Sequence, residues 1–258
     1  MAQKKGIYTV QTVHNAFEIL GYLTEDHSES TLQTLASRFD LSINKTFRLL
    51  STLCESGFVE QDKPSGTYRL GMGSFTLAQK LVGNSNIINI THPVIEQLAK
   101  KHEEAVYMAV IKGDDVLFLD MVDCHQQIKA MPLIGKTFPY FTNAAGKVMK
   151  AMESAEVIEW LKISKRNKTK HISDPEFLAS ELQEIRSNGG VAVESDGLGE
   201  GLISIAVAVK DYAGHVIGAI TMYGPSFRLM KDRIENEIIP SLLEAAAFTS
   251  QRFGYLPA

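Results

Sequence analysis

The sequence predicts an α+β protein of two unlike parts: an N-terminal winged helix-turn-helix module, then a domain of helices and antiparallel strands. Three observations predict it. Residues 1–70 hold three segments of helical apolar spacing followed by two short strand-like runs around a turn. Beyond Gly71 the texture changes to β-branched runs joined by hairpin turns and interrupted by helical segments. A length of 258 residues, 45% hydrophobic and 22% charged, is long for one domain and comfortable for two.

Taken in order, Val13, Phe17, Leu20 and Leu23 recur at helical spacing and predict a first helix over 12–23. Ser30 with Gln33 forms a capping-box signal ahead of Leu32, Leu35, Ala36 and Phe39, the second helix. Asp40 and Leu41 break the pattern, Ser42 is a good N-cap for a third helix to Ser56, and Gly57 stops it. Strands over 58–61 and 67–70 flank the turn formers Asp62, Pro64, Ser65 and Gly66. Phe75, Leu77, Ala78 and Leu81 then read as a connecting helix. The boundaries are 1–71 for the winged module, 72–86 for the linker helix and 87–258 for the second domain.

In that domain the sequence predicts a helix over 91–102, a hairpin of strands 106–111 and 116–122, and another strand near 127–133. A helix starting about Asn143, one around Trp160 and one opened by Asp174-Pro175 and stopped by Gly189 follow. Strands 191–194, 203–209 and 215–223, the last two joined at Asp211–Gly214, precede a final amphipathic helix over 231–253.

Bulk charge decides nothing about partners. The net charge is −4, and residues 1–70 carry seven Lys and Arg against eight Asp and Glu. No apolar run reaches the roughly 18 residues of a membrane span, and Gly6, Tyr8, Thr9 and Gln11 after Lys4-Lys5 lack the secretory pattern. A cytoplasmic protein with no membrane partner is expected. Cys54 and Cys124 match no disulfide framework or zinc spacing, so reduced thiols and no metal are expected.

The third helix carries the most chemistry. Counted at 100° per residue from Phe47, the residues Ile43, Leu50, Leu53 and Cys54 form an apolar arc, with Asn44, Lys45, Arg48, Ser51 and Thr52 opposite. Arg pairs bidentately with guanine, Asn with adenine, and hydroxyls reach bases or phosphates. The candidate DNA contacts are Ser42, Asn44, Lys45, Thr46 and Arg48, with Lys63 and Arg69 on the hairpin.

These residues bring the chain close to a known family. It resembles the IclR family of bacterial transcriptional regulators over nearly its whole length. The matching stretches are Thr31–Ala36, Leu41-Ser42 to Thr46, Arg48–Leu50, Leu53, Gly57–Val59 and Tyr68–Gly71, then Gly135, Pro139, Thr142 and Ala145–Lys147. Farther on they are Gly190–Glu194, Gly201–Ala206, Val209, Asp211, Gly214, Ala219–Pro225 and Arg228. The resemblance implies a winged helix-turn-helix, a linker helix and a GAF-like domain that binds a small organic acid or aromatic metabolite. Carried over by position, the implied effector residues are Ala145, Gly146, Glu194, Ser204, Thr221 and Tyr223. The family commonly has Asp at 194, Cys at 204 and Ser at 221 and 223, so this pocket's floor is its own.

On their own chemistry, Thr221 and Tyr223 share one face of a strand, as do Ser204 and Ala206. A hydroxyl cluster there could orient a carboxylate or carbonyl, and ordinary β-propensity is the alternative account. Glu194 would repel an anion unless its carboxylate points away or is protonated. Either the ligand presents a hydroxyl, amine or neutral carbonyl to it, or the anion sits at the helix start over 143–147.

An enzymatic reading finds little support. Adjacent Cys124-His125 side chains do not normally converge, His92 and His102 lie too far apart for zinc, and Gly197, Gly199 and Gly201 lack the phosphate-loop pattern. No catalytic residue and no cofactor are expected. The function expected is a ligand-responsive regulator that binds a palindromic operator in double-stranded DNA as a homodimer or dimer of dimers. The alternative is a small-molecule binding or modifying protein whose winged module contacts other proteins.

Overall fold

A computed structural model describes residues 9–24, 30–153 and 174–256, which divide into two units, Met1–Ser85 and Asn86–Ala258. In the first unit, α1 (Gln11–Tyr22), α2 (Leu32–Arg38) and α3 (Ile43–Glu55) pack around Ile19, Leu23, Leu35, Leu49, Leu50, Val59 and Tyr68. The cap of α2 is Thr31, whose Oγ1 accepts from the Thr34 N–H, and not the expected Ser30. Ser30 is occupied elsewhere. Ser30–Thr31 forms a short strand, β1, paired antiparallel with β3 (Thr67–Leu70), which also pairs with β2 (Val59–Gln61).

Ser42 caps α3 as the sequence predicts, its Oγ accepting from the Lys45 N–H. Gly57, at φ +72°, ends the helix turn and sends the chain into β2. The Gly57 carbonyl accepts from the Gly73 N–H, and a Cβ on Gly71 would lie 2.4 Å from that same oxygen. Glycine is therefore what lets α4 (Met72–Gly83) start against the base of the wing.

The second unit is built on one six-stranded antiparallel sheet. Its order is β6-β5-β4-β9-β8-β7, with β4 Ala105–Lys112, β5 Asp115–Val122, β6 Thr137–Pro139, β7 Val191–Ser195, β8 Leu202–Lys210 and β9 Val216–Pro225. Both faces are covered. Strand alternation sends Tyr107, Ala109, Ala206, Ala219 and Tyr223 to one face, under α6 (Ala144–Met152) and α7 (Pro175–Ser187). Val106, Met108, Ile205, Ile220 and Met222 go to the other, under α5 (Asn86–His102) and α8 (231–252, with a π turn at Ile234–Ile238). Helix α5 starts at Asn86, five residues ahead of the predicted start, with Pro93 inside it.

The strand expected over 127–133 is absent. Residues 123–136 run without regular pairing, and only Thr137–Pro139 joins the sheet. The reason is side-chain direction: Ile128, Met131 and Ile134 are exposed while Leu133 is buried, so the stretch lacks the alternation a half-buried strand needs. The helix expected around Trp160 lies outside the described residues.

One buried ion cluster ties this unit together. Glu104, 1% exposed, accepts from Arg228 Nε and Nη2 at 2.7 and 2.8 Å and from Arg233 Nη1 at 3.1 Å. Arg228 Nη1 also donates to the Ile128 carbonyl, and Arg233 Nη2 to that of His102. The cluster thus clasps the irregular segment, the end of α5 and the start of α8.

Candidate functional site

Two constellations emerge, one in each unit. Helix α3 buries Thr46, Leu49 and Leu50, with Leu53 packed beside them, and this sets which side meets solvent. Asn44 and Arg48 are exposed at the centre of the outer face, with Ser42 at its start and Lys45 half-buried on its flank. A concavity along that flank is lined by Thr12, Ser42, Asn44, Lys45, Arg48, Leu49 and Thr52.

Thr46 requires a correction. It is fully buried, and its hydroxyl donates to the Ser42 carbonyl, so it has no atom to offer a base or phosphate. Ile43 and Phe47 move the opposite way: placed on the apolar arc by the sequence, they are 47% and 53% exposed. The core stripe runs 46-49-50-53, the helical i, i+3, i+4, i+7 spacing, and a buried threonine disguised it. Apolar groups beside Asn44 and Arg48 suit contact with thymine methyls.

On the wing, Lys63 is exposed in the turn between β2 and β3. Asp62 organises that turn, accepting from the Ser65 N–H and hydroxyl, and these bonds hold its carboxyl below the usual range. Arg69 is exposed and pairs across the strands with Glu60 at 3.5 Å. Cys54 is half-buried, and burial pushes its thiol up, as suits a packing residue.

In the second unit, register brings the sequence-predicted residues onto the α6 face. Glu194 pairs with Ser204 and Ser204 with Tyr223, while Thr221 lies two residues along on the same face, opposite Ala206 and Tyr107. Ser204 Oγ accepts from the Ala144 N–H at 3.3 Å, joining the sheet to the start of α6. Tyr223 donates to the Leu198 carbonyl at 3.4 Å and stands edge-on to Tyr107, 6.3 Å between ring centroids. Burial pushes both tyrosine hydroxyls up to about 12, so they are neutral groups at any physiological pH. Thr221 is fully buried and its hydroxyl has no hydrogen-bond partner.

Gly146 is also corrected. Its N–H donates to the Asn143 side chain at 2.9 Å, and a Cβ there would lie 2.2 Å from the Tyr140 carbonyl oxygen. This glycine serves close packing and has no amide left for a ligand. Ala145, the second helical residue, keeps an N–H without an intrahelical partner. Lys147 is the residue that sequence reasoning missed. Its ammonium is buried and pairs with Glu181 of α7 at 2.7 Å and with Glu194. It stands in the resemblance motif, but nothing local in the sequence reveals its two partners, 34 and 47 residues away.

No group of three or more His, Cys, Asp or Glu poised for a metal occurs among the described residues. His92 pairs with Asp120 at 2.8 Å, and His102 is buried, where burial holds its imidazole below the usual range. No described helix is long and apolar enough to cross a membrane.

The model of the IclR helix-turn-helix domain matches residues 12–63, and that of the bacterial transcriptional regulator IclR C-terminal domain matches residues 79–251. The chain belongs to the IclR family of bacterial transcriptional regulators. Among curated relatives, the HTH-type transcriptional repressor AllR of Klebsiella pneumoniae is 28% identical over 231 residues, 88% of this chain and 84% of its own. AllR of Escherichia coli K12 is 26% identical over the same span. The Thermotoga maritima IclR structure superposes with a TM-score of 0.76 at 25% identity, covering 96% of this chain and 100% of its own. An IclR homologue of Microbacterium hydrocarbonoxydans, solved with 4-hydroxybenzoate, has a TM-score of 0.76 at 22% identity, covering 94% and 99%. As an IclR-family member the chain is a transcriptional regulator and not an enzyme.

Proposed function

We propose that this regulator binds a palindromic operator as a homodimer or dimer of dimers, reads it with α3, and responds to a small organic effector held on the α6 face of the second unit. The observation that carries the DNA reading is the outward presentation of Asn44 and Arg48 on a helix whose opposite face is locked in the core. Selecting duplexes from a random pool with the purified protein tests it. Inverted repeats with half-sites about one helical turn apart, or multiples of it, are expected, and enrichment of single sites only would sink the reading. Under the alternative, in which the winged module contacts proteins, no duplex is enriched.

Support for a dimer comes from apolar surface. Helix α4 buries none of its residues, yet Met72, Phe75, Leu77, Leu81 and Val82 are all exposed large hydrophobics, and α1 exposes Val13 and Phe17. Such side chains in number on one small unit mark an interaction surface. Phe75→Glu with Leu81→Glu is expected to lower the solution mass measured by light scattering, since two charges would be buried without partners. An unchanged mass would place the interface elsewhere.

Support for the effector site is the buried, unpartnered Thr221 hydroxyl on the same face as Ser204 and Tyr223. Ser204→Ala and Tyr223→Ala are each expected to weaken the effector's influence on operator affinity while leaving ligand-free affinity unchanged. Operator titrations with and without an effector found by thermal-shift screening check this, and unchanged sensitivity in both variants would move the site.

A further inference from the structure

On the side of the sheet away from α6, the second unit carries a groove of about 690 Å3 between α5 and α8. Its walls are two helical stripes, with Ile90, Val94 and Lys101 on α5 and Ser241, Ala245 and Phe248 on α8. Lys101 Nζ closes one end by donating to Ser241 Oγ at 2.9 Å, and toward the other Phe248 is 52% exposed. The lining extends over residues 89–101 of one helix and 241–252 of the other, about 17 Å along each axis. Gln97, Glu244, Gln251 and Arg252 are exposed and strung along this length, whereas a small-molecule site converges its few polar groups on one point. The shape suits a helix.

Helix α8 itself has the matching charge pattern. Glu244 and Arg252 stand four residues to either side of Phe248, each about 6 Å away along the axis, on one exposed stripe. Among the described residues neither has an ion-pair partner within the chain. When two antiparallel copies of α8 are related by a two-fold axis at Phe248, a residue k places before 248 meets the one k places after it. Glu244 of each copy then meets Arg252 of the other, and the two Phe248 rings meet at the axis. A parallel pairing at the same residue would set Glu244 against Glu244 and Arg252 against Arg252. Ala247, between the charged positions, leaves room for the backbones to approach.

We infer that the groove between α5 and α8 is an interface between two copies of this chain, closed about a two-fold axis at Phe248 by reciprocal pairing of Glu244 with Arg252. The inference deepens the assembly reading given above, on which it rests, and adds a contact made by residues of the second unit alone.

Light scattering of the full chain over a range of concentrations at low salt tests it. Glu244→Arg alone and Arg252→Glu alone each set like charges across the axis and are expected to weaken association about tenfold. Phe248→Glu should do the same, since it buries two carboxylates without partners. Glu244→Arg combined with Arg252→Glu restores opposite charges and is expected to restore the wild-type mass. All four positions of change are exposed, so far-UV circular dichroism should stay that of wild type. Wild-type mass in Phe248→Glu and in both single reversals overturns the interface and leaves the groove to another occupant. Weakening by the single reversals that the double variant does not relieve overturns the two-fold pairing. The Phe75→Glu, Leu81→Glu variant keeps the two readings apart: a wild-type protein that is a monomer fails both, whereas dissociation by that variant alone fails the groove and leaves the dimer standing.

Discussion

Arg48→Ala abolishes most discrimination between the operator and a scrambled duplex. A guanidinium bonded bidentately to a base contributes about 1–3 kcal/mol per base pair, and the symmetric dimer proposed above would present two, so specificity is expected to fall by about 2–6 kcal/mol, thirtyfold or more. The fold is spared because Arg48 lies on the exposed side of α3, opposite Thr46, Leu49 and Leu50. Its melting temperature therefore stays within about a degree of wild type. Lys63→Ala provides the contrast, since a wing lysine on phosphate weakens all duplexes alike and lowers the salt slope by about one. Fluorescence anisotropy on both duplexes at two salt concentrations separates the two behaviours. Wild-type discrimination in Arg48→Ala would remove α3 from the groove.

Glu104→Ala destabilises the second unit by about 3–5 kcal/mol, because it leaves the Arg228 and Arg233 guanidinium groups, both mostly buried, facing each other without their shared carboxylate. In calorimetry the transition of that unit should fall by about 6–20 °C. Glu104→Gln, which keeps the shape and an acceptor oxygen, loses less. Gly224 shows how closely the cluster is fitted, since a Cβ there would lie 2.6 Å from Glu104 Oε2. A loss below about 1 kcal/mol for Glu104→Ala would mean that water enters and solvates the arginines on truncation.

Much of the fold is legible because its signals are local. Ser42 followed by a helical run, Asp174-Pro175 ahead of α7, and Asp211–Gly214 between two β-branched runs each specify a backbone conformation within a few residues. Where local signals compete, sequence reading slips. Ser30 is an equally good cap by type, but pairing with Tyr68 of β3 claims it for a strand and passes the cap to Thr31. Residues 127–133 are apolar enough for a strand, yet the sheet edge takes up only Thr137–Pro139, and the Ile128 carbonyl goes to Arg228, 100 residues away.

By itself, then, the sequence determined the order of the elements, the two-part division of its textures and the outward placement of Asn44 and Arg48, all of which follow from spacing along one helix or strand. The tertiary structure alone decided which residues share a charge or lose their solvent. Thr46 is withdrawn into the core, Phe47 is left outside, the Gly146 amide is spent on Asn143, and Lys147 is held between carboxylates from two other elements. The physical reason is range: hydrogen bonds within a turn depend on neighbours three or four residues away, whereas burial and ion pairing depend on which faces the sheet register brings together.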